Sequence, residues 1–351
     1  FTIIPEAFRI AEEGRPGPVL IDIPKNIQVQ EYEFDQWPEP YVREIPTNEL
    51  NHKAIEEAAV MINSAKKPVI YMGGGVISSE AYENIYKLAK KNSIPTAATL
   101  MALGAFPCND LLYLGMLGMH GAQYTNMLMD EADLVLALGV RFDDRATGNI
   151  AKFCPKAKII HIDIDASEIN KIKNADISIK GDLNGVLEAL LEKVEESDRR
   201  DWIRQIREYK EKYPFNLPPK DDIFHPVNLI RYVSSIVGED AIITTDVGQH
   251  QMWTAQAYPF KKPRTLLTSG GLGTMGFGLP AAIGAAMENP DRQVICFSGD
   301  GSILMNIQEL ATLADLGLNV KVLIFNNGHL GLVRQQQELF YNGHYMASRF
   351  E

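Results

Sequence analysis

Long apolar runs are missing from this chain, and so is any excess of basic charge. No hydrophobic stretch approaches the roughly 20 residues needed to cross a bilayer, and no secretion-signal pattern is visible at the start, so neither membrane insertion nor export is expected. Lys and Arg number 34 against 45 Asp and Glu, a formal charge of −11. That balance argues against nucleic acid as a partner, because phosphate binding calls for clustered cations. Cysteine is scarce too. Cys108, Cys154 and Cys296 are odd in number and sit in apolar or mixed surroundings, which fits a reducing, cytoplasmic compartment and excludes a disulfide scaffold. Short repeats and low-complexity tracts are absent, which leaves an ordinary globular chain.

The 351 residues suffice for two domains with sizeable cores, and 46% hydrophobic content makes disorder an unsuitable reading. The chain starts at Phe1 and stops at Glu351 soon after a functional motif, so it reads as part of something longer. Residues 1–30 contain Gly14-Arg15-Pro16-Gly17-Pro18 feeding an apolar run, expected to be one buried strand in the tail of a further domain. Residues 31–48 and 196–225 read as linkers, the second closing with Asp221–His225 after two prolines. Between them, 49–195 alternates helix and strand: a helix ending near Ala65, strand 68–72, a helix over 79–92, then strands at 94–100, 134–138 and 159–164. Residues 226–351 repeat the alternation, with a strand over 241–245. Strands separated by helices imply βαβ units, so the fold class is α/β: two parallel-sheet, three-layer domains, the first Rossmann-like.

The stretch 293–331 organises the second domain. Two runs rich in β-branched and aromatic residues, 294–297 and 320–325, read as buried parallel strands joined by a crossover helix, on which Ile307, Leu310, Ala311 and Ala314 follow core spacing. The first run ends at Gly299-Asp300-Gly301, the second at Asn326-Asn327. Neighbouring parallel strands release their carboxyl ends side by side, so Asp300 and Asn327 should emerge on one sheet edge, where open α/β folds bind ligands. A carboxylate, an amide oxygen and a nearby carbonyl form a hard-oxygen set suited to Mg²⁺ or Ca²⁺ without saturating it. Either half alone is more often a plain turn; both together, at a crossover's separation, point to a site.

Gly-Asp-Gly, then residues 302–325, then Asn-Asn is similar to the motif of the thiamin-diphosphate (ThDP) enzymes. The resemblance implies that Asp300, Asn327 and the main-chain carbonyl of His329 hold Mg²⁺, which grips the cofactor diphosphate. Three further stretches narrow it: Leu117-Gly118-Met119-His120-Gly121, Gly139-Val140-Arg141-Phe142-Asp143-Asp144-Arg145, and residues 268–276, Thr-Ser-Gly-Gly-Leu-Gly-Thr-Met-Gly. With the early Gly-Arg-Pro-Gly-Pro these resemble the catalytic large subunits of the acetolactate (acetohydroxyacid) synthase family, from Ile4 to about Phe340. That family has a pyrimidine-binding domain, a central FAD domain and a diphosphate-binding domain. Residues 1–30, 49–195 and 226–351 would then be the tail of the first, the second, and most of the third.

Several contacts follow from the resemblance. Val247, Gly248, Gln249, His250, Gly273, Met275, Gly299, Gly301, Ser302, Leu330 and Gly331 would surround ThDP, with Met275 bending the cofactor and Gly301 and Ser302 donating to phosphate. FAD contacts would fall on Arg15, Gly73, Thr99, Leu100, Gly118, Met119, His120, Gly139, Arg141, Asp143, Arg145, Asp163, Ile164 and Asp182. Read without the resemblance, Gly73-Gly74-Gly75 lacks the dinucleotide-fingerprint spacing, His120 is an ordinary structural histidine, and Met275 fills a core gap. Arg145 carries a second implied role, recognising the carboxylate of the second 2-keto acid with a bidentate guanidinium.

The reaction implied is decarboxylation of pyruvate on ThDP and transfer of the hydroxyethyl unit to a second 2-keto acid, in branched-chain amino acid biosynthesis. FAD would have no net redox part. The family's proton-relaying glutamate belongs to the pyrimidine domain and acts across a dimer interface, so the 351 residues alone are expected to make no acetolactate. A homodimer or tetramer with a possible regulatory small subunit is implied, with pyruvate and 2-ketobutyrate as substrates. Gln336 stands where many members have Trp, which implies weaker preference for 2-ketobutyrate and lower sulfonylurea sensitivity. The alternatives are another ThDP carboligase or decarboxylase, such as glyoxylate carboligase or pyruvate oxidase, or a noncatalytic protein of the same fold; an NAD-dependent dehydrogenase is disfavoured by the poor fingerprint at Gly73.

Overall fold

The computed structural model describes residues 2–37, 50–215 and 217–350. Among the described residues, ten strands form two parallel sheets. The first is built from β1 (Pro68–Met72), β2 (Thr96–Ala98), β3 (Tyr113–Met116), β4 (Leu134–Leu138), β5 (Lys158–Asp163) and β6 (Ile177–Lys180) in the order β3-β2-β1-β4-β5-β6. The strand order reverses between β1 and β4, the position where doubly wound sheets open a crevice beyond their carboxyl ends. The second comprises β7 (Ile242–Thr245), β8 (Leu266–Thr268), β9 (Val294–Gly299) and β10 (Val320–Phe325), ordered β10-β9-β7-β8.

Alternation of side chains along each strand feeds two faces, giving three layers per sheet. Ile70 and Met72 of β1 pack into one apolar cluster with the helices His52–Ser64, Tyr82–Asn92 and Leu183–Lys193. Val69 and Tyr71 face another, closed by the helices Gln123–Glu131 and Arg200–Lys212. In the second sheet Ile243, Ile295 and Phe297 join the first cluster, alongside Ile230 and Ala255. Ile242, Val294 and Cys296 face the helix Gly278–Glu288 instead. A single apolar cluster therefore runs from the central sheet into the second. Among the described residues, no helix is long and apolar enough to cross a membrane.

Five expectations need correcting. The run 320–325 is not a buried strand: β10 is the edge of its sheet, and Lys321 and Ile324 are exposed. The helix read over 79–92 is two, Gly74–Ser78 and Tyr82–Asn92, and Leu100 belongs to a single 3₁₀ turn following β2. The apolar run after Pro18 is not a buried strand: residues 16–24 belong to no helix or strand, and Val19, Leu20 and Ile23 are exposed. A strand needs a neighbour for its amides and carbonyls, and no described strand lies alongside this one. The span 196–225 is more than a linker, because it holds the helix Arg200–Lys212, which buries Trp202 and Ile206 against the central sheet. Trp202 donates from Nε1 to the Pro68 carbonyl at 3.1 Å, and the Arg199 guanidinium donates to the Asn92, Ala65 and Ile62 carbonyls. Finally, the crossover between β9 and β10 contains two short helices, Asp300–Ile303 and Glu309–Asp315; the second buries no residue, and Ile307 and Leu310 are exposed. Of the linker 31–48, residues 38–48 lie outside the described residues.

Candidate cofactor site

β9 and β10 are adjacent and parallel, with Gly299 opposite Phe325, so their next residues leave the sheet together. Asp300 follows β9 directly, and its Oδ2 accepts from the Gly328 amide at 2.6 Å while Oδ1 accepts from the Gly301 amide at 3.0 Å. One carboxylate thus ties both strand ends. Gly328 has φ +68°, a left-handed turn that glycine adopts without strain. Asn327 is exposed; its side-chain oxygen accepts from the His329 amide at 3.0 Å, and its amide group lies 3.5 Å from Gln249 Oε1. Gln249 in turn donates to Gln335 Oε1 at 3.2 Å. A Cβ on Gly331 would fall 2.2 Å from Gln249 Oε1, so Gly331 leaves the space this amide fills.

His250 fills the floor. Its ring lies against Gly248 and Gly299, where an added Cβ would fall 2.7 and 2.9 Å from the ring. Nε2 is buried without a hydrogen-bond partner, an orphaned polar atom at the base of the site. Burial lowers its pKa to about 4, partly opposed by the Asp246 and Asp300 charges. A proton therefore binds the unfolded chain near the ordinary 6.5 but the folded chain only near 4, so stability present above pH 6.5 is lost as pH falls toward 4. The loss from this residue should approach about 3 kcal/mol. In urea titrations between pH 7 and 4, His250→Gln should show a flatter decline than the parent protein; an equal slope would contradict the assignment.

Met275 is half-buried on a loop held from three sides. The Thr274 amide donates to Ser269 Oγ at 2.9 Å, Asn306 donates to the Gly276 carbonyl at 2.8 Å, and the Gly276 amide donates to Asp246 Oδ1 at 2.6 Å. Asp246 is fully buried at the end of β7 and also accepts from Ser298 Oγ at 3.0 Å. The sequence reading passed over Asp246; an acid directly after the apolar strand 242–245 was the available signal. Gly273 is exposed with φ +68°. The Ser302 hydroxyl is already engaged by the Val247 carbonyl at 2.7 Å, which leaves main-chain amides as its means of meeting an anion.

Around the central sheet, the residues named for FAD gather at the carboxyl edge. Gly73 follows β1, Thr99 and Leu100 follow β2, Gly118 to His120 follow β3, Gly139 and Arg141 follow β4, Ile164 follows Asp163 of β5, and Asp182 lies just past β6. The Met119 amide donates to the Arg145 carbonyl at 2.9 Å, bringing those loops together. Asn126, another residue missed from sequence, clamps Gly118 through both its amide and carbonyl, at 2.8 and 2.9 Å. Arg15 bonds Glu168 at 2.9 Å and lies 3.5 Å from Asp165, beside Asp163. Burial raises the Asp163 pKa, and burial followed by the Arg145 charge lowers that of His120.

Several of these residues have structural work already. Asp182 caps the helix Leu183–Lys193 and Asp143 caps Asp144–Thr147. Gly73 and Gly139 do not form an open cradle, since a Cβ on Gly73 would lie 2.1 Å from the Gly139 carbonyl oxygen. Thr99 Oγ1, by contrast, is buried without a partner at this edge. A hydrogen bond joins the two sites: Gln256, in the helix Gln249–Ala257, donates to the His120 carbonyl at 2.8 Å. Among the described residues, no group of three or more His, Cys, Asp or Glu side chains could hold a metal.

Comparison with known proteins agrees with this architecture. The thiamine pyrophosphate enzyme central domain matches residues 55–190, and the thiamine pyrophosphate enzyme C-terminal TPP binding domain matches residues 246–351. The chain is 51% identical to the acetolactate synthase isozyme 1 large subunit of Escherichia coli (strain K12), over 99% of this chain and 61% of that protein. It is 46% identical to the acetolactate synthase large subunit of Parasynechococcus marenigrum (strain WH8102), covering 99% and 57%, and 47% identical to acetolactate synthase 1, chloroplastic, of Nicotiana tabacum, covering 97% and 52%. The chain thus spans between half and two thirds of the length of these curated relatives. With both domains matched and the likeness running nearly end to end, the chain belongs to the thiamine pyrophosphate enzymes, as a homologue of the acetolactate synthase large subunits.

Proposed function

We propose that this chain holds the cofactors of an acetolactate synthase, which condenses pyruvate with a second 2-keto acid, pyruvate or 2-ketobutyrate, and releases CO₂. The observation that carries the reading is the Asp300 carboxylate bonded to Gly328 across the ends of β9 and β10, beside Asn327. Asp300, the Asn327 side-chain oxygen and the His329 carbonyl supply the hard oxygens Mg²⁺ prefers, and leave coordination positions for a diphosphate. The orphaned His250 Nε2 below them fits an anionic group that a neutral imidazole meets with its N–H. When bound, ThDP supplies the electron sink for decarboxylating a 2-keto acid and passing on the two-carbon unit.

The chain's own residues position and shield that chemistry. Met275, on its braced loop, offers an apolar surface of fixed height beneath the cofactor. Gln249 joins the Asn327 loop to the helix Gly331–Phe340 and keeps the site's rim closed. On the central sheet, the unpartnered Thr99 hydroxyl and the exposed Arg141 and Arg145 suit a flavin dinucleotide, whose pyrophosphate arginines neutralise without a glycine loop. FAD there is structural, and Arg145 also receives the acceptor's carboxylate. The active form is proposed to be an oligomer in which the partner's pyrimidine domain completes the site and to which a regulatory subunit binds.

The test is acetolactate formation by the full-length protein given pyruvate, ThDP, Mg²⁺ and FAD. Turnover is expected in the parent and a fall of at least about 100-fold in Asp300→Ala, since removing a charged metal ligand costs several kcal/mol. The 351 residues alone should make none, and with equal pyruvate and 2-ketobutyrate the product ratio should show no strong bias to 2-ketobutyrate, given Gln336. A full-length protein inert toward pyruvate, or an undiminished Asp300→Ala, would refute the proposal.

A further inference from the structure

The loop that offers Asn327 and His329 is tied to its own following helix by a side-chain relay. Arg334 Nη1 lies 2.7 Å from His329 Nε2, and His329 Nδ1 lies 2.6 Å from the Asn327 carbonyl oxygen. A guanidinium has no acceptor, so Nε2 accepts, the ring proton sits on Nδ1, and Nδ1 donates to Asn327. Arg334 is itself steadied by the Tyr345 ring, 5.2 Å from guanidinium carbon to centroid. From the other side, the Leu330 amide donates to the Ser348 carbonyl at 2.8 Å and the Phe350 amide to the Gly328 carbonyl at 2.9 Å.

We infer that Arg334, backed by Tyr345, is a positioning residue that acts through the His329 ring to set where Asn327 and His329 present their oxygens to a divalent ion. The need for such a latch is specific. Asn327 Oδ1 here accepts from the His329 amide, so a cation drawn to Oδ1 competes with the bond that shapes this turn. The ring relay holds the Asn327 carbonyl independently, and keeps the main chain in place while the side chain turns to the metal. The inference rests on the Mg²⁺ and ThDP reading above.

The test uses the full-length protein, Mn²⁺ as a paramagnetic probe in place of Mg²⁺, and electron paramagnetic resonance titration in the presence of ThDP. Arg334→Ala should weaken Mn²⁺ binding about fivefold to tenfold, below the full effect of losing a charge-assisted hydrogen bond because the relay acts on the ligands indirectly. Arg334→Lys should restore most of it, because an ammonium can still donate to Nε2, and Tyr345→Phe should be silent, because the ring and not the hydroxyl faces the guanidinium. Thermal midpoints should stay near the parent's, since Arg334 is only half-buried and its side chain bonds within one loop and helix. Arg334→Ala binding Mn²⁺ as tightly as a parent that does bind it overturns this inference alone, as does a weakening that Arg334→Lys leaves unrepaired. A parent that binds no Mn²⁺ with ThDP overturns the metal-site reading as well.

Discussion

Gly73→Ala is expected to lower the stability of the central sheet by about 3 kcal/mol, on the order of 10 °C in thermal midpoint, with or without FAD. The added methyl would sit 2.1 Å from the Gly139 carbonyl oxygen and 2.8 Å from Val140 Cγ1. The first of these atoms is backbone, and it already accepts from the Gly75 amide at 3.2 Å, so it has no freedom to retreat. Gly139 has φ +57° and its own added methyl would meet Gly75 Cα at 2.6 Å, so the two loops are as close from the Gly139 side. Differential scanning calorimetry of Gly73→Ala, with FAD removed and with FAD in excess, separates two explanations of this glycine. If Gly73 serves only to admit a cofactor, the apo midpoint should stay at the parent's value and only the shift produced by FAD should shrink. Close approach of two crossover loops at the strand-order reversal predicts the opposite, a large fall already in the apo protein.

The same contact marks what the sequence could and could not reveal. Strands β1 and β4 were legible because their runs are apolar without interruption, as expected where both faces are covered; β10 was legible despite Lys321, although as an edge strand it is only half-buried. β3 was not, since Gly115 breaks its run, and β6 carries Ser178 and Lys180 at the sheet's edge. The run after Pro18 has the composition of a buried strand and yet lies exposed, because strand identity depends on partners that local sequence does not contain. At the site, Asp300 and Asn327 were readable from their positions after two strands. Their braces were not. Asp246, Asn126, Gln335 and Arg334 act through hydrogen bonds to residues that only the fold or a helix turn brings near, and their side chains have no periodicity to betray them.

Asp246→Ala should produce the largest loss at the cofactor site among non-ligand positions. Its carboxylate is fully buried, and none of the salt bridges among the described residues includes it; it is held by hydrogen bonds alone, from the Gly276 amide, the Ser298 hydroxyl and its neighbour's amide at 3.2 Å. Alanine leaves the Gly276 amide buried without an acceptor, a cost of about 1–3 kcal/mol, and the Ser298 hydroxyl with only the Gly299 carbonyl at 3.3 Å. Removing a buried charge offsets part of that, so a net loss of about 1–2 kcal/mol in stability is expected. The functional consequence should exceed the stability loss, because Gly276 anchors the loop that carries Met275, and Ser298 precedes Gly299 and Asp300 on β9. Asp246→Asn provides the control. Its Oδ1 can still accept from Gly276, while its amide can donate to Ser298 Oγ, which then accepts instead of donating. ThDP affinity in the full-length protein, followed by cofactor-induced quenching of tryptophan fluorescence, should therefore fall at least tenfold in Asp246→Ala and by no more than about threefold in Asp246→Asn. Equal losses in the two variants would show that the charge, and not the bracing of the Met275 loop, is what the site requires of Asp246.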